Sequence, residues 1–165
     1  MEKKLLIVGA GGHGKVVAEI AEDCGYNYVA FIDDNSENAI GKIDELENFK
    51  EEFMDAFIGI GNNKMRETLI LRLKKSGFNI PTLIHPSAYV SKTCVIKEGT
   101  VIEPKAIINS RSIIGEGSIV SVGTIVDHDV EIGNFCHINA GAIIKAGAKI
   151  SDCKKIEAGE VVLGF

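Results

Sequence analysis

The first residues in this chain that could do chemistry form a glycine-rich run, Gly9-Ala10-Gly11-Gly12-His13-Gly14-Lys15. The run follows the apolar stretch Leu5-Leu6-Ile7-Val8 and precedes a segment with helical spacing, so Gly9-x-Gly11-x-x-Gly14 reads as a strand-to-helix turn. Glycines in such a turn let backbone amides approach a pyrophosphate at the helix N-terminus. Asp33 lies 19 residues beyond Gly14, near the acidic position of a dinucleotide-binding fingerprint. NAD and a nucleotide sugar both carry a pyrophosphate, so the loop alone does not choose between them. A tight turn that needs glycine for its own sake is the plainer alternative.

Histidine offers the second kind of chemistry, because an imidazole titrates near neutral pH and can take a proton from a nucleophile. His85 precedes Pro86 and reads as structural. His13 lies inside the glycine run, where ligand binding and local hydrogen bonding are equally open. His128, followed by Asp129, and His137, followed by Ile138, stand in a different setting.

That setting is a six-residue period. An aliphatic residue recurs at every sixth position from Val90 and Ile96 through Val126, Ile132 and Ile138 to Val162. Two residues before each stands a small residue, from Ala88 and Cys94 to Ala142 and Ala148, until Lys154 and Glu160 break the series. This period fits neither an amphipathic helix nor a hairpin sheet, and predicts a left-handed parallel β-helix whose coils are three hexapeptides each. Positions 18 apart then stack about 4.8 Å from one another. His128 falls at a corner, with Ser110 above it and Ala146 below. Arg111, Asp129 and Gly147 form the adjacent column, so a carboxylate lies beside the ring, and Ala146 and Gly147 are small enough for a cofactor to approach the backbone. His137 faces outward from a strand half a coil away, on the opposite side of the prism. The two histidines can share a site only between two protomers.

The first 80 residues alternate differently. Leu5–Val8, Tyr28–Ile32 and Phe57–Gly61 read as strands, and Lys15–Cys24 and Met65–Lys75 as helices. Val16, Val17, Ile20 and Ala21 are expected on one buried face of the first helix, and Leu69, Leu73 and Met65 on that of the second. The expected fold is therefore an α/β Rossmann-like half-domain over residues 1–82, followed by an all-β β-helix over 83–165. A dinucleotide normally spans two such halves, and only one is present, which argues against NAD.

Composition narrows the field further. A net charge of −5 supplies no basic footprint for nucleic acid or an anionic membrane. The four aliphatics after Lys3-Lys4 are too few for a signal peptide or a membrane span, so a cytoplasmic protein is expected. Cys24, Cys94, Cys136 and Cys153 are too widely spaced for a metal or redox motif; reduced buried thiols and no metal are expected.

In order along the chain, Gly9–Lys15, Asp33-Asp34, Gly59-Ile60-Gly61-Asn62-Asn63, Ile84-His85-Pro86-Ser87-Ala88, Asp127-His128-Asp129 and His137-Ile138-Asn139 with Gly141 match one family's motifs. By these the chain resembles the hexapeptide-repeat acyltransferases, in particular those that acetylate UDP-amino sugars or sialic acid. The resemblance covers nearly the whole chain. It implies a cytoplasmic homotrimer that uses acetyl-CoA as co-substrate, and a UDP-amino sugar lined by Gly11, Gly12, His13, Asp33, Asp34 and Gly61. It implies that His128 is the general base, that Asp129 holds its tautomer, and that His137 meets the thioester end of acetyl-CoA from a neighbouring chain. Rival readings are an O-acetyltransferase acting on a sialic acid hydroxyl, and a weakly catalytic trimer that binds a UDP-sugar without a full CoA clasp.

Ile107, Ile125, Ile143 and Val161 all precede an inward residue and form an outward apolar stripe, expected under a protomer interface or under the N-terminal domain. The column Val95, Ile113, Glu131 and Lys149 turns polar halfway down and should face solvent there. The last two repeats lose their small corners, and members of the family usually run on through further coils to a Gly-x-Pro-containing tail that helps clasp CoA. Val161–Phe165 reads either as the start of such a tail or as a shortened final rung.

Overall fold

The computed structural model describes residues 3–165. The chain divides into two compact units, Met1–Pro81 and Thr82–Phe165. In the first, β1 (Lys4–Val8), β2 (Tyr28–Ile32) and β3 (Asp55–Ile58) form a parallel sheet in the order β2-β1-β3. Leu5, Leu6, Ile7 and Val8 of the central strand are fully buried, which is why that run is apolar without alternation. Helix α1 (Gly12–Asp23) follows β1, and α2 (Asn63–Lys75) follows β3. Because β1 is flanked by β2 on one side and β3 on the other, the chain reverses direction across the sheet at β1. The C-terminal ends of β1 and β3 thus flank a switch point, where open α/β sheets bind ligands.

Details differ from the sequence reading in ways that packing explains. Helix α1 begins at Gly12, so the end of the glycine run is its first turn. Val16 is 38% exposed, and the buried face is Gly14, Val17, Ile20 and Ala21. Met65 is also exposed; the inward positions of α2 are Arg66, Leu69, Ile70 and Leu73. Strand β3 starts and stops earlier than Phe57–Gly61, releasing Gly59–Gly61 into a loop. A 3-10 helix, Ile43–Phe49, was not foreseen. It is tied to α2 by Glu47, whose carboxylate accepts from Arg72 Nε at 2.9 Å and from Ser76 Oγ at 3.0 Å.

The second unit is a left-handed parallel β-helix of two-residue strands, fourteen among the described residues. It begins at Leu83–Ile84, one hexapeptide before Val90. A first face stacks Leu83–Ile84, Val101–Ile102, Ile119–Val120, His137–Ile138 and Lys155–Ile156. A second stacks Tyr89–Val90, Ile107–Ile108, Ile125–Val126, Ile143–Ile144 and Val161–Val162. A third stacks Val95–Ile96, Ile113–Ile114, Glu131–Ile132 and Lys149–Ile150. The inward aliphatics from Ile102 to Ile144 are all 2% exposed or less. Each such side chain is worth about 1.5–3 kcal/mol against its exposed state.

The small corner residues do more than fit. Thr100, Ser112, Ser118 and Thr124 are fully buried, and each hydroxyl donates to a backbone carbonyl further along the coil, Ser112 to Asp127 at 2.7 Å. Cys94 and Cys136 sit at the same position, and Cys136 Sγ reaches Ser151 O at 3.2 Å. A buried hydroxyl needs such a partner, which accounts for serine and threonine alternating with alanine there. The last repeats still pair as regular rungs despite Lys154 and Glu160. Among the described residues no helix is long and apolar enough to cross a membrane.

Candidate active site

The glycine run divides into two groups once built in three dimensions. A Cβ on Gly14 would lie 2.0 Å from Gly9 O, and one on Gly59 would lie 2.7 Å from Gly14 Cα. Gly14 and Gly59 are therefore glycine because helix α1 presses against the ends of β1 and β3, while a Cβ on Gly9 would strike Ile60 Cγ1 at 2.7 Å. Gly9 also has φ +103, a conformation that L side chains rarely adopt. At Gly11 and Gly12 a Cβ would meet nothing within 4 Å. Packing does not require glycine at either. The open backbone also sits at the start of α1, whose N-cap residue Gly11 brings no side-chain hydrogen bond, whereas Asn62 Oδ1 caps α2 by accepting from Met65 N at 2.9 Å. A helix N-terminus left open in this way suits an anion.

Asp33 and Asp34 follow β2. Asp33 Oδ2 accepts from Ala10 N at 2.9 Å, and its Oδ1 accepts from Asn35 N and Ser36 N. These amides, that of Ala10 foremost, hold the carboxyl below its usual range. Asp33 thus ties the glycine loop to the end of β2, with one further lone pair on Oδ2 open to a ligand. Asp34 Oδ1 accepts from Ile43 N at 3.0 Å, anchoring the 3-10 helix. Gly61 lies in the loop after β3, where Arg66 Nη1 donates to Ile60 O and Gly61 O, both at 3.0 Å. Its Nη2 reaches Asn63 Oδ1 at 2.7 Å. Arg66 is 1% exposed, and an arginine on an otherwise apolar helix face was the overlooked signal of this loop brace.

On the coil, His128 and Asp129 occupy the corner between the second and third faces. Ser112 Oγ donates to Asp127 O and accepts from Val130 N at 3.1 Å, bracketing the corner from within. Asp127 Oδ1 accepts from His128 N at 2.8 Å and from Asn109 Nδ2 at 3.3 Å. Above and below, Asp129 N donates to Ser110 O and Gly147 N to His128 O. Asp129 has φ +59, and its carboxylate turns back on its neighbour: Oδ2 lies 2.6 Å from His128 Nδ1. An ionised carboxylate only accepts, so the proton of the neutral ring sits on Nδ1 and Nε2 carries the lone pair. Arg111, one coil above, also grips Asp129, with Nε to Oδ1 and Nη2 to Oδ2 each at 2.7 Å. Arg111 first, then His128, keep the Asp129 carboxyl well below the usual carboxylate range. The column of Arg111, Asp129 and Gly147 was visible in the sequence, but the double grip on one carboxylate was not.

His137 lies on the first face, and its Nε2 is 3.3 Å from Ser121 Oγ. The first face is opposite the corner that carries His128, so within one chain the two do not meet. Gly147 has φ +72 and stacks on the ring of Phe165, which a Cβ would strike at 1.8 Å. Phe165 N donates to Ala146 O, so Phe165 lies directly below Ala146 and Gly147.

Residues 4–73 match the PglD N-terminal domain family. The acetyltransferase domain of PglB from Neisseria gonorrhoeae FA1090 is 36% identical, superposes with a TM-score of 0.94, and is matched over 98% of this chain and 83% of that one. This chain belongs to the hexapeptide-repeat sugar acetyltransferase family. Within the family, the same gonococcal domain has been solved in complex with acetyl coenzyme A, at 35% identity and a TM-score of 0.93, covering 99% of this chain and 83% of that one. A histidine-to-alanine variant of GDP-perosamine N-acetyltransferase from Caulobacter crescentus, in complex with CoA and GDP-perosamine, is 28% identical over 99% of this chain and 90% of that one, with a TM-score of 0.91. UDP-N-acetylbacillosamine N-acetyltransferase of Bacillus subtilis (strain 168) is 37% identical over 109 residues, 59% of this chain. That match spans half the length of the Bacillus protein.

Proposed function

We propose that this protein transfers acetyl from acetyl-CoA to the amino group of a UDP-linked amino sugar, in a site formed between protomers of a trimer. The α/β unit holds the nucleotide through the amides of Gly11 and Gly12, with His13, Asp33, Asp34 and Gly61 around it. The coil carries the chemistry. The sugar nitrogen attacks the thioester carbonyl, His128 Nε2 takes the proton that the nitrogen sheds, and the carbon–sulfur bond breaks as CoA thiolate leaves. The imidazolium returns the proton to the thiolate. Asp129 fixes the ring's tautomer throughout, and no acyl-enzyme is needed. His137 of the neighbouring chain, with Ala146 and Gly147, borders the acetyl-CoA.

The observation that carries this reading is the His128–Asp129 pair, a base with a fixed tautomer on a coil whose relatives were solved with CoA or acetyl-CoA. The outward residues of the coil support the trimer. Tyr89, Ile107, Ile125, Ile143 and Val161 on the second face are 37–59% exposed. At the edge between the first and second faces one column, Pro86, Pro104, Val122, Ala140 and Ala158, carries no charge, with Lys105, Glu157 and Glu160 beside it, whereas the matching column between the third and first faces is Glu98, Glu116, Asn134 and Asp152. An uncharged column of modest bulk suits a three-fold axis, where charges would crowd. With that edge inward, the second face of one chain meets the first face of the next, and His128 then approaches a neighbour's His137. A UDP-sugar is preferred to a GDP-sugar because the Bacillus relative is named for a UDP-linked substrate at 37% identity, against 28% for the perosamine enzyme.

The test is acetyl transfer followed by release of free thiol, over a panel of UDP- and GDP-linked amino sugars and sialic acids. The expected result is turnover with a UDP-amino sugar, falling at least about 100-fold in His128→Ala with the thermal midpoint unchanged. Full activity in that variant would remove His128 from the mechanism. Turnover confined to a sialic acid hydroxyl would replace the acceptor.

A further inference from the structure

The Arg111 contact asks for an explanation that the reaction above does not give. Arg111 is largely exposed, yet it adopts the left-handed conformation, φ +60, at a corner position where Gly99, Gly117, Gly123, Gly141, Gly147 and Gly159 stand in other rungs. Its guanidinium makes a two-pronged contact with Asp129, and one oxygen, Oδ2, receives both Arg111 Nη2 and His128 Nδ1. A protonated His128 would therefore face a second cation across a single oxygen. The other charges around the ring are arranged less closely. The Asp127 carboxylate is taken up by the His128 amide and by Asn109. Lys145 stacks one coil below Asp127, and Lys92 lies two coils above His128.

We propose, resting on the assignment of His128 as the base, that Arg111 is a positioning residue for the transfer: it aims the Asp129 carboxylate at Nδ1 while cancelling part of its charge, so that His128 stays neutral and able to accept a proton. An unshared carboxylate at this distance would favour the imidazolium, and an imidazolium cannot act as a base. Arginine serves better than lysine because its planar fork holds both carboxylate oxygens at once.

The experiment is an NMR titration of histidine side chains in labelled protein, with the His128 signal assigned by its loss in His128→Ala. Arg111→Gly removes the guanidinium and places at this corner the residue that six other rungs use, so the coil is kept. At low salt the ring in Arg111→Gly is expected to titrate higher than in the wild type by about half a pH unit. Arg111→Lys, which keeps the charge but loses the fork, should move it less. The acid limb of kcat/KM for acetyl transfer should follow the ring upward. A midpoint that stays put or falls in Arg111→Gly overturns the role of Arg111, whatever the catalysis. A midpoint that rises while the kinetic limb stays put overturns His128 as the base, and with it the part of Arg111 in the reaction.

Discussion

Two glycines of one motif should respond in opposite ways to the same methyl group. Gly14→Ala puts a Cβ 2.0 Å from Gly9 O, and neither the strand end nor the helix start can yield without moving the other. A loss of about 3 kcal/mol or more is expected, measured by denaturant unfolding of the variant. Gly12→Ala meets open space and should leave stability within about 0.5 kcal/mol, while thermal stabilisation by UDP-amino sugar weakens. Sequence alone showed three glycines at fingerprint spacing but could not sort them, because the sorting depends on how closely α1 approaches β3. His128 and Asp129 were legible for the opposite reason: an 18-residue stack is arithmetic, and it put both at one corner. Arg111 stood in the same arithmetic column without a role. The side-chain direction that joins it to Asp129 follows from two left-handed residues, a conformation that the glycines at the same position of other repeats signal but whose effect on side-chain direction the sequence does not show.

At the scale of elements, legibility tracked periodicity. The hexapeptide coil was readable almost rung by rung because its inward position admits little but valine and isoleucine. The buried faces of the two helices were readable only in part. Val16 and Val17 are both apolar and adjacent, and only the crossing of α1 over the sheet decides which goes in. On α2 the deciding residue was Arg66, whose length lets it brace the Gly61 loop from a buried position. The 3-10 helix has no strong period and was invisible. Its attachment to α2 makes a pH-dependent element. The Arg72 hydrogen bond, foremost, draws the Glu47 carboxyl down to about 2. A carboxyl lowered in the folded state stabilises above its unfolded value of about 4.5, and that contribution drains away as pH falls toward 2. Glu47 is half exposed, so solvent screening limits the effect to about 1 kcal/mol. Arg72→Met should therefore be less stable at pH 6 by about that amount and show a shallower acid-side decline than the wild type, both read from urea midpoints across the range.

For the whole molecule, the decisive question is whether a site belongs to one chain or two. If His128 comes from one protomer and His137 from the next, His128→Ala and His137→Ala trimers should each be inactive or nearly so. Unfolded together in equal amounts and refolded, they should recover about one quarter of the wild-type sites, because random assembly pairs an intact His128 with an intact neighbouring His137 that often. Assay of the refolded mixture checks this; a mixture as inactive as its components would confine the site to a single chain. The face-by-face register of the coil also bears on how such proteins vary over a lineage. Gaining or losing 18 residues adds or removes one storey and leaves every other residue in its column. Gaining six rotates everything downstream by one face. Between His128 and His137 such an insertion would carry the second histidine from the first face to the second, into the apolar stripe. The nine-residue interval between them is thus a fixed angle written as a length, and under the proposed two-chain site its length is held by the chemistry as well as by the fold.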